Sequence, residues 1–238
     1  TRIAMGTTMT QAVLAKPSLP MPNLPRHHTL KLTGGWTDSD LTEKGRWQIE
    51  MAAKKLAADF AGRNTKLRIL TSDLKRAVES AEIIGKALGC ADKIEKYAFL
   101  REKNNGEAAG LTEEAAKKIY CRPATEQELN HRNYPGGETR IEFYERNVHG
   151  LIEKADLDRE NLIIVAHKGT VQNIIFHWLG MDMNQVVGLN MSVDVLPASV
   201  SVLGRNKWHE HAIFRLNDTS HLNEGKGYGI FDFKYEKR

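Results

Sequence analysis

Asn161-Leu162-Ile163-Ile164-Val165-Ala166-His167-Lys168-Gly169-Thr170 constrains the fold more than any other stretch of this chain. Leu162 to Val165 are consecutive apolar residues rich in β-branching, the pattern of a strand buried on both faces, as in a parallel sheet. Thr170 is placed to cap the next segment, where Val171, Ile174, Ile175 and Trp178 recur at helical spacing and Gly180 is a natural stop. His167 is therefore expected at the carboxyl end of a core strand, facing the amino end of a helix. Open α/β sheets bind ligands at that place, and exposed helix N–H groups there favour an anion. A core histidine satisfied by backbone hydrogen bonds would leave the same trace in sequence, so the rest of the chain has to discriminate.

The same grammar occurs earlier. Leu67 to Thr71 reads as a short strand, and Ser72 or Asp73 can cap a helix with the stripe Leu74, Ala77, Ala81, Ile84 and Leu88, ended by Gly89. Arg76 falls in the first turn of that helix. A cation there opposes the helix macrodipole at a cost of about 0.3–1 kcal/mol unless an anion is present. A plain solvated charge is the alternative. Before this unit, Thr42 opens a helix with Ile49, Ala52, Ala53, Leu56, Ala57 and Phe60 on one face, closed by Gly62. Upstream, Thr33 to Asp38 is a glycine-containing loop around Trp36.

Residues 1–25 carry Pro17, Pro20, Pro22 and Pro25 and read as an irregular, extended N-terminal arm, with Ala12-Val13-Leu14 its one weak strand-like fragment. Residues 26–238 read as a single α/β domain. Residues 100–137 form a polar insertion over the strand ends, a lid with short helical segments at about 112–121 and 124–130. A longer helix from Glu138 to about Ala155 leads back to the His167 strand. Ala198–Leu203 and Ala212–Leu216, joined by Gly204–His211, predict a hairpin at a sheet edge. The tail, with Tyr228, Phe231, Phe233 and Tyr235, is suited to packing across the surface. The expected architecture is a three-layer sandwich, a mainly parallel sheet with helices on both faces and a small helical lid.

Composition removes several function classes. A chain of 238 residues supports a real core, and no apolar run approaches the roughly 18 residues of a membrane helix, so no membrane role is expected. The first twenty residues lack a compact apolar block behind a basic start, and Cys90 and Cys121 have neither metal-ligand spacing nor the number for a disulfide framework. A cytoplasmic location is the expectation. A net charge of +4 is spread without a basic block, so no nucleic-acid partner is expected.

If the Arg26-His27 segment lies beside the two junctions, Arg26, His27, Arg76 and His167 make a strongly cationic pocket. Buried cations without partners are expensive, which implies a bound anion, and guanidinium forks match phosphate oxygens well. No glycine-rich nucleotide loop with lysine and no carboxylate cluster for magnesium occurs, so the chemistry is expected to use side chains alone, with no metal and no cofactor.

Several segments now fall in a known order. Arg26-His27, Leu41-Thr42-Glu43-Lys44-Gly45, Ser72-Asp73-Leu74-Lys75-Arg76-Ala77, Leu100-Arg101-Glu102 with Gly106, Pro135-Gly136-Gly137-Glu138 and Val165-Ala166-His167 together resemble the ordered motifs of the histidine phosphatase superfamily, the phosphoglycerate-mutase-like group. The resemblance covers about residues 26–220, with Asn217-Asp218 and His221 near its end. It implies that His27 attacks phosphorus and carries the phosphoryl group, that Arg26, Arg76 and His167 bind the transferring oxygens, and that Glu102 protonates the leaving oxygen and later deprotonates water. The amino-terminal motif departs from the family pattern. Asn23-Leu24-Pro25 stands where the family has a β-branched run, His28 where it has glycine, and the loop to Trp36 is short. Either His27 is the nucleophile behind an irregular strand, or His27 and His28 belong to the substrate rim.

The expected function is metal-independent hydrolysis of a small phosphorylated metabolite through phosphohistidine. A phosphoglycerate-type mutase is the nearest alternative and would need a second anionic subsite, for which the Lys103, Lys117 and Lys118 region is available. A non-catalytic phosphate-binding or interaction module is the alternative from another class, and a homodimer is compatible with either. Trp36 and Asn104 are further candidates for substrate contact, Glu138 and Arg146 sit where the resembled family often keeps polar helix residues but either fits a plain surface charge as well, and His177 reads as packing.

Overall fold

A computed structural model describes residues 12–15, 32–125 and 127–222. Six strands form one sheet in the order β3-β2-β4-β1-β5-β6: β1 Ala12–Ala15, β2 Arg68–Ser72, β3 Ile94–Tyr97, β4 Leu162–Val165, β5 Val200–Arg205 and β6 His211–Asp218. β3, β2, β4 and β1 run parallel, and β5 and β6 close one edge as an antiparallel hairpin. β4 lies near the middle, and all four of its residues are buried.

The pleat of β4 feeds two separate cores. Leu162 and Ile164 pack with Leu151, Val171, Ile174, Ile175 and Trp178 on one face. Those residues come from α4 (Arg140–Lys154) and α5 (Lys168–Trp178). Ile163 and Val165 pack with Ile49, Ala52, Ala53, Leu56, Ala81 and Ile84 on the other. That layer is α1 (Glu43–Phe60) and α2 (Lys75–Leu88). Burying each such aliphatic side chain contributes about 1.5–3 kcal/mol, and both layers meet on one four-residue strand. The three-layer α/β sandwich expected from sequence is the fold observed.

Several local expectations change. The arm predicted over 1–25 contains a strand of the sheet: β1 pairs with β4 and β5, Ala15 standing opposite Val165 and Val200. Ladder partners on both sides fix a segment whose own strand signal is weak. The lid carries α3 (Glu113–Lys118) and a 3-10 turn at Gly106–Ala108, but the described residues of 124–130 form no helix. There the Glu128 carboxylate accepts the Ala124 N–H, so a side chain competes for the bonds a helix would need. α6 (Met183–Gly188) follows α5, with a capping box between Asp182 and Gln185. Arg26, His27 and His28 lie outside the described residues, as do the tail aromatics from Tyr228 onward. No helix among the described residues is long and apolar enough to cross a membrane.

Candidate active site

Both strand–helix junctions deliver their residues to the carboxyl end of the sheet. β2 and β4 are parallel neighbours with Thr71 opposite Val165, so Ser72 and His167 emerge side by side. His167 is buried, and its Nε2 lies 2.9 Å from Ser72 Oγ. Ser72 Oγ also accepts the Leu74 N–H at 3.3 Å, which ties the ring to the start of α2. The predicted caps differ from the observed ones. Thr170 sits inside α5 and donates to the Arg101 carbonyl at 2.8 Å, and His167 itself holds the N-cap position. Asp73 is taken by Arg101 in a two-bond ion pair at 2.6–2.7 Å, and the Lys75 N–H is instead accepted by Asp38, from the loop before α1.

Arg76 is 2% exposed. Its guanidinium donates to the carbonyls of Thr37 at 2.5 Å and Gly35 at 3.1 Å, and its remaining N–H groups have no hydrogen-bond partner among the described residues. Burial pulls its proton affinity down, and the negative charges of Glu102 and Asp38 act the other way. A buried guanidinium remains charged, so the arrangement favours an incoming anion.

Glu102 sits against the amino end of α5. One carboxylate oxygen accepts Gly169 N–H at 3.1 Å and the other accepts Lys103 N–H at 2.9 Å. The approach is close: a Cβ on Gly169 would lie 2.5 Å from the Glu102 oxygen and 2.8 Å from the Phe143 ring, so one of these side chains would have to shift. Thus Arg76, Glu102 and His167, predicted from three distant segments, share one end of the sheet, while Arg26 and His27 lie outside the described residues.

Of the two readings that sequence leaves open for Glu138 and Arg146, the structure shows them paired and holding this corner. Arg146, on α4, pairs with Glu138 at 2.6 and 2.9 Å and donates to the carbonyls of Phe99 at 2.8 Å and Glu102 at 3.1 Å. Glu138 in turn accepts the Asn104 N–H at 2.8 Å. Trp36 donates its indole N–H to the Glu102 carbonyl at 2.7 Å, with the Arg101 guanidinium 4.7 Å over its ring. Trp36 and Asn104 therefore fasten the Glu102 loop; Asn104 also accepts the Gly106 N–H through its side chain. Gly106 has φ +51°, and a Cβ there would fall 2.0 Å from the Pro135 carbonyl, so the turn after the acid admits only glycine. His177 is half-buried, and burial lowers its proton affinity, in keeping with packing.

Two clefts of about 580 and 1240 Å³ open at the opposite end of the strands, around Arg68 and Glu160. Neither is lined by Arg76, Glu102 or His167, and the ligand-binding end of a parallel sheet is the carboxyl end.

The profile of the histidine phosphatase superfamily (branch 1) matches residues 26–219. The chain is 28% identical over 194 residues to phosphoglycerate mutase-like protein 4 of Arabidopsis thaliana, covering 80% of this chain and 79% of that protein. It is 29% identical to a metal-independent phosphoserine phosphatase of the same plant, over 79% of this chain and 75% of the relative. Among solved structures, α-ribazole phosphatase from Shigella flexneri superposes with a TM-score of 0.66 at 17% identity, covering 88% of this chain and 96% of the other. A mycobacterial glucosyl-3-phosphoglycerate phosphatase superposes at 0.63 and 22%, covering 88% and 99%. By its sheet, its strand-end histidine, its buried arginine and this match, the chain belongs to the histidine phosphatase superfamily, branch 1.

Proposed function

We propose that this protein is a metal-independent phosphatase that hydrolyses a small phosphomonoester through a phosphohistidine intermediate. The observation that carries the reading is the meeting of Arg76, His167 and Glu102 at the carboxyl end of β2 and β4, with Arg76 buried and part of its fork unbonded among the described residues. The phosphoryl oxygens face Arg76 and His167, with Arg26 as a third donor. The imidazole of His27 attacks phosphorus, the P–O ester bond breaks, and Glu102 gives a proton to the leaving oxygen. Water then attacks the phosphohistidine, Glu102 takes its proton, and inorganic phosphate leaves with His27 restored.

The relatives include proteins named as phosphatases and proteins named as mutases, among them 2,3-bisphosphoglycerate-dependent phosphoglycerate mutases. A non-catalytic phosphate-binding module is the second reading. Its support is the position of β1: Ala15 ends the strand beside β4, and residues 16–25 intervene before Arg26, whereas the family pattern has Arg-His directly after that run.

Hydrolysis of an aryl phosphate in excess chelator, with the native chain, His27→Ala and His167→Ala, tests the proposal. Activity that persists in chelator and is lost in both variants supports phosphohistidine chemistry. Activity retained in His27→Ala removes the nucleophile assignment, and an inactive native chain that still binds phosphate leaves the binding module.

A further inference from the structure

Ser72 is the last residue of β2, and its side chain is buried between two nitrogens. The Leu74 main-chain nitrogen lies 3.3 Å from Ser72 Oγ, and His167 Nε2 lies 2.9 Å from it. A main-chain N–H can only donate, so Oγ accepts from Leu74. The hydroxyl then has one proton to place. Among the described residues Oγ has no further partner, so the acceptor within reach is His167 Nε2.

The opposite direction is costly. If Nε2–H donated to Oγ, the hydroxyl proton would be buried with no acceptor. A neutral ring protonated at Nε2 and an imidazolium both meet that cost. The imidazolium meets a second one, because His167 holds the N-cap position of α5, an 11-residue helix, where a cation opposes the macrodipole. The charged groups on the elements that meet here are Arg76 on α2, Lys168 in the first turn of α5, and the carboxylates of Glu102 and Asp73. Both acids are engaged, Glu102 by the N–H groups of Lys103 and Gly169 and Asp73 by Arg101, and Lys168 is paired with Asp194.

We propose that Ser72 is a positioning residue: its hydroxyl donates to His167 Nε2 and holds the ring neutral, with the ring proton on Nδ1. His167 then serves the phosphoryl group as an uncharged N–H donor, and the fixed positive charge comes from arginine. The catalytic half of this inference rests on the reading of His167 as a phosphoryl ligand.

Nitrogen-15 NMR of the full chain, labelled at its nine histidines, reads the protonation of each ring nitrogen, and the His167 signals are identified by their loss in His167→Gln. At neutral pH the native chain should show a protonated Nδ1 and a bare Nε2, favoured about tenfold or more over the other tautomer, the worth of one buried hydrogen bond. Ser72→Ala removes the donor, so the proton should spread to Nε2, and kcat/KM on an aryl phosphate should fall about tenfold. Ser72→Thr keeps a hydroxyl and should restore both readouts.

The native spectrum is decisive without any variant: a protonated Nε2, alone or with Nδ1, overturns the proposal. So does a tautomer that Ser72→Ala leaves unchanged. Unchanged kcat/KM in a Ser72→Ala chain whose tautomer has moved overturns the link to catalysis. A native chain with the expected tautomer and no phosphatase activity overturns the phosphatase reading and upholds the assignment of the ring proton.

Discussion

The two strand–helix junctions are built alike and capped from outside, but they use their borrowed carboxylates differently. At β2–α2 the Lys75 N–H is served by Asp38, on an exposed loop. At β4–α5 the Gly169 N–H is served by Glu102, at the carboxyl end of the sheet that also carries His167. The first junction keeps its functional group, Arg76, inside the helix and uses the acid only to close it. The second leaves its functional group at the strand end and closes the helix with the acid that we propose also moves the proton. A helix terminus is thus a place where structural and catalytic demands can be met by one side chain or divided between two.

Substitutions at four positions break or sharpen that contrast. Glu102→Gln should lower turnover by about 10²–10⁴, because the amide can still accept a main-chain N–H but cannot shuttle a proton. Its melting temperature should stay near that of the native chain, and a parallel loss of both would show the acid to be structural. Arg76→Lys should cost about 10²–10³ in kcat/KM, since a single ammonium cannot hold two loop carbonyls and an anion in a planar fork. Full activity in that variant would reduce Arg76 to a loop fastener.

Gly169→Ala separates packing from helix propensity. The new methyl has to displace the Glu102 carboxylate or the Phe143 ring, and a misplaced catalytic group can cost about 10² in rate. Alanine is also the better helix former by about 1 kcal/mol, so activity should fall while thermal stability holds or rises. The smallest effect belongs to Asp38→Ala, which should cost about 1 kcal/mol of stability by equilibrium denaturation with little change in turnover. Asp38→Asn should be nearly silent in both measurements, since asparagine caps as well. A large activity loss in Asp38→Asn would mean that the two junctions do not differ in kind.

The legible part of this molecule is the part with local causes. Leu162–Val165 announces itself because every residue is apolar, and Arg76 and His167 are found because each follows a strand and meets a helix start. Glu102 is identified through a resemblance, and its loop contacts emerge only with the fold. What sequence does not show has distant causes. Asp38 caps a helix 37 positions away, and Arg146 reaches carbonyls 44 to 48 positions away. Exposed loop acids and helix-surface arginines look the same whether or not such partners exist. β1 is hidden for a related reason: Ala12-Val13-Leu14-Ala15 has little strand preference of its own, and its state is set by β4 and β5.

The Arg146 contacts and the notch at Gly150, where a Cβ would come within 2.2 Å of the Phe99 ring, also bear on how the molecule breathes. Asn147 adds a bond to the Phe99 carbonyl, so the chain from 98 to 102 is tied to α4 through the carbonyls of Ala98, Phe99, Arg101 and Glu102. In hydrogen-exchange terms this segment and α4 belong to one cooperative opening unit. Its main-chain amides should exchange with a free energy close to that of α4, although the acid they carry is also held by Trp36 and by the start of α5.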